Sequence, residues 1–216
     1  MKVALIGASG FVGTAILHEL LQRGHQVTAV VRNPGKIASA ENLTVVSTDV
    51  LNVTDLAKAL SGHDAVISAY NAGWQNPNLY DDFLKGSQAI QDAVKESGVK
   101  RLIIVGGAGS LFIAPEQQIV DTPGFPPDWK PGALAARDYL NILRKEAELD
   151  WTFLSPAVEM HQGTSGQRKG TYRKGLENPV MDADGRSVIS VEDTAMAIVD
   201  ELEQPQHIRQ RFTVAY

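Results

Sequence analysis

The sequence predicts an α/β fold with a doubly wound, mostly parallel sheet and helices on both faces. Two observations indicate this class. Short apolar runs of strand length alternate along the chain with amphipathic stretches of helical periodicity, which is the pattern of repeated βα units. A glycine-rich turn also joins the first apolar run to the first helical stretch. Because 216 residues suit one sizeable α/β domain, we expect a single domain over residues 1–216.

Six apolar runs predict parallel strands, and a seventh run near the end of the chain predicts an edge strand. The first run, Val3–Ile6, is apolar throughout, as expected for a strand buried on both faces. The other predicted parallel strands are Gln26–Val31, Leu43–Ser47, Ala65–Ala69, Leu102–Val105 and Trp151–Leu154. The predicted edge strand is Phe212–Ala215.

Five amphipathic stretches predict the helices that cover this sheet. They are Phe11–Arg23, Thr54–Leu60, Leu79–Ser97, Ala133–Ala147 and Val191–Leu202. Gly24, Gly62 and Gly98 each stand just past one of these stretches, where a left-handed residue often ends a helix. Glu192 gives the last stretch an acidic first turn that suits the helix dipole.

Two long segments interrupt the alternation of strands and helices. Residues 108–132 are rich in proline, and residues 157–186 are rich in glycine, polar and charged residues. Each follows a predicted strand, so both are expected over the carboxyl-terminal edge of the sheet, where such folds bind ligands. We expect these two segments to form the substrate side of a binding site.

The turn after the first strand is the strongest functional signal in the chain. It reads Gly7-Ala8-Ser9-Gly10-Phe11-Val12-Gly13, with the glycine spacing G-x-x-G-x-x-G. A strand, a glycine-rich turn and a helix in this order present backbone N–H groups and a positive helix end to a pyrophosphate. All seven residues are therefore predicted to bind a nucleotide.

The residues after the second predicted strand indicate which nucleotide is preferred. A site for NAD usually has a carboxylate here that accepts a hydrogen bond from the ribose 2′-hydroxyl. This chain has Arg32 followed by Asn33, with Lys36 nearby. A guanidinium binds a 2′-phosphate through paired, charge-assisted hydrogen bonds, whereas a carboxylate would repel it. Arg32 and Asn33 therefore predict a preference for NADP(H), with NAD(H) as the alternative.

Several of these segments resemble the atypical short-chain dehydrogenases/reductases. Besides the glycine-rich turn, they are Val31-Arg32-Asn33-Pro34, Asp64-Ala65-Val66-Ile67-Ser68-Ala69 and Asp150-Trp151-Thr152-Phe153-Leu154-Ser155-Pro156. The run Val105-Gly106-Gly107-Ala108-Gly109-Ser110-Leu111 is similar, more closely, to a bacterial group described as NADH-flavin reductases. That group resembles biliverdin IXβ/flavin reductases and NmrA-like proteins. The resemblance covers essentially the full chain and implies an NAD(P)-binding Rossmann fold.

The resemblance also implies contacts to the cofactor at the ends of the remaining strands. They are Asp49 and Val50 at the adenine; Ala69, Tyr70 and Asn71 beneath the middle of the cofactor; Gly106 and Gly107 at the nicotinamide ribose; and Pro156 at the carboxamide. It implies a free flavin or a quinone-like molecule as the acceptor, with the flavin as substrate and not as bound cofactor.

The catalytic pair usual in these enzymes is absent. It consists of a Tyr followed four residues later by a Lys, which lowers the pKa of the phenol for proton transfer. The residues at that distance after Tyr70, Tyr80, Tyr139 and Tyr172 are Trp74, Leu84, Leu143 and Leu176. This absence argues against an ordinary alcohol dehydrogenase and against an NAD-dependent epimerase or dehydratase.

Two residues are implied at the acceptor. In the flavin-reducing relatives a Ser after the fifth strand and a His after the sixth line the acceptor pocket. Ser110 and His161 are the catalytic candidates here, with Gly109 and Val158 as the residues that align with those positions.

Three loop aromatics, Trp74, Phe112 and Trp129, are candidates for stacking on a planar ring. The function predicted first is reduction of a free flavin or quinone by direct hydride transfer from NADPH. A non-catalytic NADP-binding redox regulator that acts through a protein partner is the alternative. An enclosed aromatic pocket over residues 108–132 would favour the enzyme, and a flat exposed surface would favour the regulator.

Composition excludes several other classes of function. The chain has no cysteine, which removes disulfides, thiolate catalysis and cysteine-based metal sites, and no metal site is predicted. The net charge of −5 argues against a nucleic-acid partner. The chain has no apolar stretch near the roughly 20 residues that span a bilayer, and it begins with a core strand, so a cytoplasmic protein without a membrane partner is expected. A monomer or homodimer is expected.

Overall fold

Ten strands and five α-helices make up the regular elements of the computed structural model, which describes residues 1–216. The strands are β1 (Lys2–Ile6), β2 (Gln26–Val31), β3 (Leu43–Ser47), β4 (Ala65–Ser68), β5 (Arg101–Val105), β6 (Phe112–Ala114), β7 (Gln117–Gln118), β8 (Asp150–Ser155), β9 (Arg173–Gly175) and β10 (Gln210–Ala215). The helices are α1 (Phe11–Gln22), α2 (Val53–Leu60), α3 (Leu79–Ser97), α4 (Lys130–Leu143) and α5 (Val191–Glu203).

The main sheet has eight strands in the order β3-β2-β1-β4-β5-β8-β10-β9. All neighbours are parallel except β10 and β9. Along the chain, β2 and β3 are added on one side of β1, and β4 is then added on its other side. β1 therefore lies between β2 and β4, and this reversal of direction opens a ligand crevice in doubly wound sheets. The α/β class predicted from the sequence is confirmed.

Helices cover both faces of the sheet because most strands are apolar on both sides. One buried cluster of 24 residues joins one face to α2, α3 and α4, and a second of 23 residues joins the other face to α1 and α5. The two clusters are nearly equal in size, so neither face of the central strands is left to solvent. No helix combines the length and the apolar character that crossing a membrane requires.

The last strand differs from its prediction. β10 is not an edge strand, because it lies between β8 and β9 and pairs with both. The edge is β9, a strand of three residues inside the segment 157–186 that lacks strand periodicity. The apolar residues of β10 fit its interior position, since Phe212, Val214 and Ala215 are at most 1% exposed.

The fourth helix also has different bounds from those predicted. It begins at Lys130 instead of Ala133, because Pro131 is tolerated in a first turn, where its missing N–H has no helical acceptor. It ends at Leu143 instead of Ala147. The rest of the segment 108–132 contains the two-stranded hairpin of β6 and β7 and short 3₁₀ turns.

Candidate functional site

The parallel strands bring the predicted cofactor residues to one edge of the sheet. Each of these residues lies in a segment that follows β1, β2, β3, β4, β5 or β8. Because these six strands run in the same direction, their carboxyl-terminal ends meet at the same edge. The structure thus gathers residues that are up to about 150 positions apart in the sequence, from Gly7 to Pro156.

The glycine-rich turn is packed so closely that two of its glycines cannot carry a side chain. Gly7 has a φ of +79°, and a Cβ there would lie 2.5 Å from the carbonyl oxygen of Ala69. A Cβ on Gly13 would lie 2.0 Å from the carbonyl oxygen of Gly7. The missing side chains therefore let β1, the first turn of α1 and the end of β4 approach each other at the reversal point of the sheet.

The start of α1 leaves donors available for an anion. Gly10 caps the helix without a side chain, and its N–H donates to Gly7 O at 3.0 Å. The N–H groups of Phe11, Val12 and Gly13 have no acceptor in the chain. Unpaired amides at the positive end of a helix are the groups that bind phosphate, so this turn fits the pyrophosphate of a dinucleotide.

Arg32 is the one arginine of the chain whose guanidinium has no partner within the chain. The other nine arginines form ion pairs or hydrogen bonds through their side chains. Arg32 is exposed at the end of β2, one strand away from the glycine-rich turn. An unpaired guanidinium here can bind a phosphate without giving up an internal contact.

Tyr70, which follows β4, is affected by charged residues that follow β2 and β3. Burial raises the pKa of Tyr70; the positive charge of Arg32 lowers it, and the carboxylates of Asp82 and Asp49 raise it. Its ring stacks on Phe83 at 5.9 Å, and its hydroxyl donates to the carbonyl oxygen of Asp82. The charges of Arg32 and Asp49 thus act on the same phenol, which indicates that the ends of β2, β3 and β4 face one another.

Three predicted contact residues hold local turns through their side-chain oxygens. Asn33 Oδ1 accepts from the N–H of Gly35, and Asn71 Oδ1 accepts from the N–H of Gly73. Asp49 Oδ1 accepts from the N–H two residues on in the same way. These bonds shape the loops that follow β2, β3 and β4. Binding of the cofactor by these residues stays a prediction.

The glycines after β5 have different surroundings. A Cβ on Gly106 would lie 2.0 Å from the ring of Phe153, so this position is glycine because the ring fills the space. A Cβ on Gly107 would meet only Ala136, at an ordinary 3.6 Å. Pro156 is buried at the end of β8. The predicted approach of Gly107 and Pro156 to the nicotinamide is compatible with this arrangement and stays a prediction.

Ser110 is held in the interior by Arg211. It is 1% exposed, and both its hydroxyl and its carbonyl oxygen accept from Arg211, at 2.8 and 2.9 Å. The same guanidinium pairs with Glu177 of the other substrate-side segment. This residue therefore anchors the loop after β5, and its catalytic role stays a prediction that would require the hydroxyl to leave Arg211.

His161 caps a short 3₁₀ turn of residues 162–164. Its Nδ1 accepts from the N–H of Gly163 at 3.0 Å. The hydroxyl oxygen of Thr164 accepts from the N–H of His161, which completes the cap. The imidazole is exposed, so its other nitrogen remains free. Its catalytic role also stays a prediction.

Large apolar side chains concentrate at the carboxyl-terminal edge. Of the ten that are exposed, six lie in segments that follow β1, β3, β4, β5 or β8, and two more, Leu176 and Met181, follow the antiparallel edge strand β9. Trp74 and Trp129 are the most exposed, at 61% and 56%. They lie near each other, since a Cβ on Gly132, three residues after Trp129, would touch the ring of Trp74 at 2.8 Å. The aromatic surface is therefore open and not enclosed.

Two features of this edge were not predicted from the sequence. One is Arg211, whose only signal is a charged residue in an otherwise strand-like run. The other is a cavity of about 480 Å³ that begins at Ser9 and Gly10 and continues along α1 to Arg168 and Glu192. A second cavity, of about 300 Å³, lies between α5 and β9, and the carboxylates that line it are already paired. The larger cavity adjoins the glycine-rich turn and extends the crevice.

Taken together, the strand order, the free helix amides and the packed glycines define a dinucleotide-binding protein of the doubly wound, Rossmann class. Residues 7–205 match the model of the NAD(P)H-binding family, and the chain belongs to that family.

Full-length relatives are found in several bacteria. The chain is 39% identical to the uncharacterized protein YwnB of Bacillus subtilis over 216 residues, 99% of this chain and 98% of that one. It is 48% identical to a solved structure described as a "putative epimerase" from Bacteroides thetaiotaomicron, with a TM-score of 0.91 and coverage of 100% and 96%. It is 36% identical to one described as a "putative NADH-flavin reductase" from Streptococcus pneumoniae, with a TM-score of 0.87 and coverage of 100% and 99%.

Proposed function

We propose that the protein is an NADPH-dependent reductase of a free planar acceptor, a flavin or a quinone. The observation that carries this proposal is the position of two exposed indoles, Trp74 and Trp129, at the sheet edge that also holds the glycine-rich turn. The surface that they form is open and not the enclosed pocket expected of the enzyme, so the regulator is kept as the second candidate. Planar rings stack on exposed indoles with a gain of about 0.5–1.5 kcal/mol beyond burial. Similarity over the full chain to the Streptococcus pneumoniae protein supports the same reaction.

The residues toward the cofactor fit NADPH. The free amides of Phe11, Val12 and Gly13 would hold the pyrophosphate, and Arg32 would hold the 2′-phosphate. When bound, the reduced nicotinamide supplies a hydride. The chain's own contribution is to hold the two ring systems in a fixed relative orientation.

Proton transfer by a protein acid is not part of this proposal. Tyr139, the tyrosine of α4, is 1% exposed, and burial raises the pKa of its phenol. It packs edge-on against Phe83 in the core and is followed four residues later by Leu143. Because the acceptor surface is open, water can supply the proton to a reduced flavin or quinone. Because the chain has no Tyr followed four residues later by a Lys for proton transfer, we do not favour epimerase chemistry.

A second candidate function is a redox regulator that binds NADPH without turnover. The open aromatic surface around Trp74 and Trp129 favours it, because an exposed apolar patch also suits a protein partner. Direct measurement of turnover distinguishes the two candidates.

The first experiment measures NADPH oxidation by the purified protein with riboflavin, FMN or 1,4-naphthoquinone as acceptor. We expect turnover with at least one of them, and a loss of about tenfold in kcat/KM for the acceptor in Trp74→Ala, since tenfold corresponds to the stacking energy. The Kd for NADPH is expected to stay the same in that variant.

The matched control is Ile208→Ala, which removes an exposed apolar side chain before β10, at the opposite edge of the sheet. It is expected to leave both constants unchanged. Tight binding of NADPH without turnover of any acceptor would contradict the reductase and support the regulator.

A further inference from the structure

One buried guanidinium joins the two substrate-side segments. The side chain of Arg211, in β10, has no exposed surface. It donates to the carbonyl oxygen and the hydroxyl of Ser110, in the segment 108–132, at 2.9 and 2.8 Å. It also donates to both carboxylate oxygens of Glu177, in the segment 157–186. The two segments begin after different strands, β5 and β8, and they meet at this side chain.

Further hydrogen bonds and an ion pair surround this junction. The N–H of Phe112 donates to the carbonyl oxygen of Glu177 at 2.9 Å, and the side-chain amide of Asn178 donates to the carbonyl oxygen of Phe112 at 2.7 Å. Arg144, just past the end of α4, pairs with the carboxylate of Glu177 at 3.0 Å. The hairpin of β6 and β7 is thus held against residues 177 and 178 beside Arg211.

The loop that Arg211 holds connects the predicted nicotinamide contact with the start of α4. Ser110 follows Gly107 by three positions. A Cβ on Gly109 would lie 2.9 Å from the Cβ of Ala133, in the first turn of the helix that Trp129 directly precedes. A shift of Ser110 is therefore expected to move this loop relative to both the cofactor end of the crevice and the exposed indole.

A buried ion pair contributes little to stability by itself, because the loss of hydration offsets the attraction between the charges. It does fix geometry, since a guanidinium presents its donors in a rigid plane that a lysine cannot reproduce. We propose that Arg211 is a positioning residue, which fixes the two substrate-side segments relative to each other and so sets the orientation of the acceptor at the nicotinamide. This inference rests on the proposed function, because it concerns the acceptor side of the same site.

The test compares lysine variants of two buried arginines. Arg211→Lys keeps the charge and loses the rigid plane of donors. The matched control is Arg101→Lys at the amino-terminal end of β5, where the guanidinium is also buried and pairs with Glu201 at 3.2 Å. Both variants are expected to lower the midpoint of urea denaturation. Only Arg211→Lys is expected to raise KM for the acceptor, by about tenfold, with the Kd for NADPH unchanged.

The KM separates positioning from stability, because a loss of folded molecules lowers the apparent kcat and leaves KM unchanged. The acceptor used is whichever of riboflavin, FMN and 1,4-naphthoquinone the wild type turns over fastest. Quenching of riboflavin fluorescence supplies a Kd that does not depend on turnover, and in Arg211→Lys it is expected to rise with KM.

A milder variant, Glu177→Gln, decides the question if Arg211→Lys does not fold. It keeps an oxygen that accepts from Arg211 and loses the charge, so a rise in KM of about threefold is expected. Its control is Glu148→Gln, which removes the carboxylate that pairs with Lys95 at 2.9 Å, before β8. Wild-type KM in Glu177→Gln and in every folded Arg211 variant would overturn this inference and leave the reductase standing. Absence of turnover by the wild type with every planar acceptor would overturn both.

Discussion

At the scale of single residues, the pairing of arginines separates structural from functional positions. Nine arginines are tied to acceptors inside the chain, and Arg32 is not. Leaving a guanidinium free at the end of β2 contributes nothing to folding. We propose that it binds a ligand phosphate, since paired charge-assisted hydrogen bonds to an anion are strong.

Replacing Arg32 tests this assignment. Arg32→Asp is expected to lower the affinity for NADPH relative to NADH about a hundredfold, which corresponds to about 3 kcal/mol for two hydrogen bonds to a charged group. Isothermal titration calorimetry with both cofactors measures the ratio. Lys100→Asp, an equal charge reversal at the opposite edge, is the control. An unchanged ratio would refute the preference for NADPH.

Ser110 shows the limit of sequence reasoning at this scale. The resemblance to flavin reductases placed it at the acceptor, and the structure gives its hydroxyl to Arg211, which is 101 residues away in the chain. No local pattern predicts a contact of that separation, because the chain path that joins β10 to the loop after β5 is a property of the fold. The anchoring of Ser110 by Arg211 could not be predicted from the sequence for the same reason.

At the scale of elements, the unit of β1, turn and α1 contains the predicted phosphate-binding part of the cofactor site. Its three glycines are not equivalent. Gly7 and Gly13 make room for backbone atoms, whereas a Cβ on Gly10 would meet only one atom, at 3.4 Å. Packing therefore requires Gly7 and Gly13, and we propose that Gly10 lets a ligand approach the backbone closely.

Two alanine variants separate these reasons. Gly13→Ala is expected to lower the free energy of unfolding by about 2–3 kcal/mol, because its Cβ would overlap Gly7 O. Gly10→Ala is expected to change it by less than about 1 kcal/mol and to weaken NADPH binding at least tenfold. Urea denaturation and calorimetry measure the two effects. Wild-type affinity in Gly10→Ala would show that phosphate does not bind at this helix end.

Elements with strong local signals were predicted well, and those held by long-range pairing were not. The bounds of β2, β3 and α3 agree with their apolar periodicity at every residue. β9 escaped detection because Arg173–Gly175 has no strand periodicity and exists as a strand only through its pairing with β10. For the same reason β10 was taken for an edge.

At the scale of the whole molecule, Asp193 ties together three distant parts of the chain. Its fully buried carboxylate accepts from the N–H groups of Lys169 and Gly170 and from the hydroxyls of Ser190 and Tyr216. Burial by itself raises the pKa of Asp193, but the hydrogen bonds from Tyr216, the two amides and Ser190 outweigh it and lower the pKa below its ordinary value.

This carboxylate makes the stability of the protein depend on pH. Because the folded pKa is lowered, the stabilisation is complete above the ordinary value of 3.8 and is lost as the pH falls through the folded pKa. Asp193→Asn is expected to cost about 2–3 kcal/mol of unfolding free energy at pH 7 and to show a smaller further loss below pH 3.8. Urea denaturation at pH 7, 5 and 3 tests both effects.

The matched control is Asp184→Asn, which removes a carboxylate at an exposed turn of the segment 157–186. It is expected to behave as the wild type at each pH. Equal stability of Asp193→Asn and the wild type at pH 7 would show that this carboxylate does not hold the segment 165–170 against α5.

The sequence by itself determined the class of fold, the positions of seven of the ten strands and of all five helices, and the glycine-rich turn. These depend on apolar periodicity and on the backbone freedom of glycine, which are local properties. Only the tertiary structure decided that β10 lies inside the sheet, that Ser110 is bonded to Arg211, and that Arg32 alone among the arginines is free. Each of these depends on which distant residues meet, and the packing of the whole chain decides that.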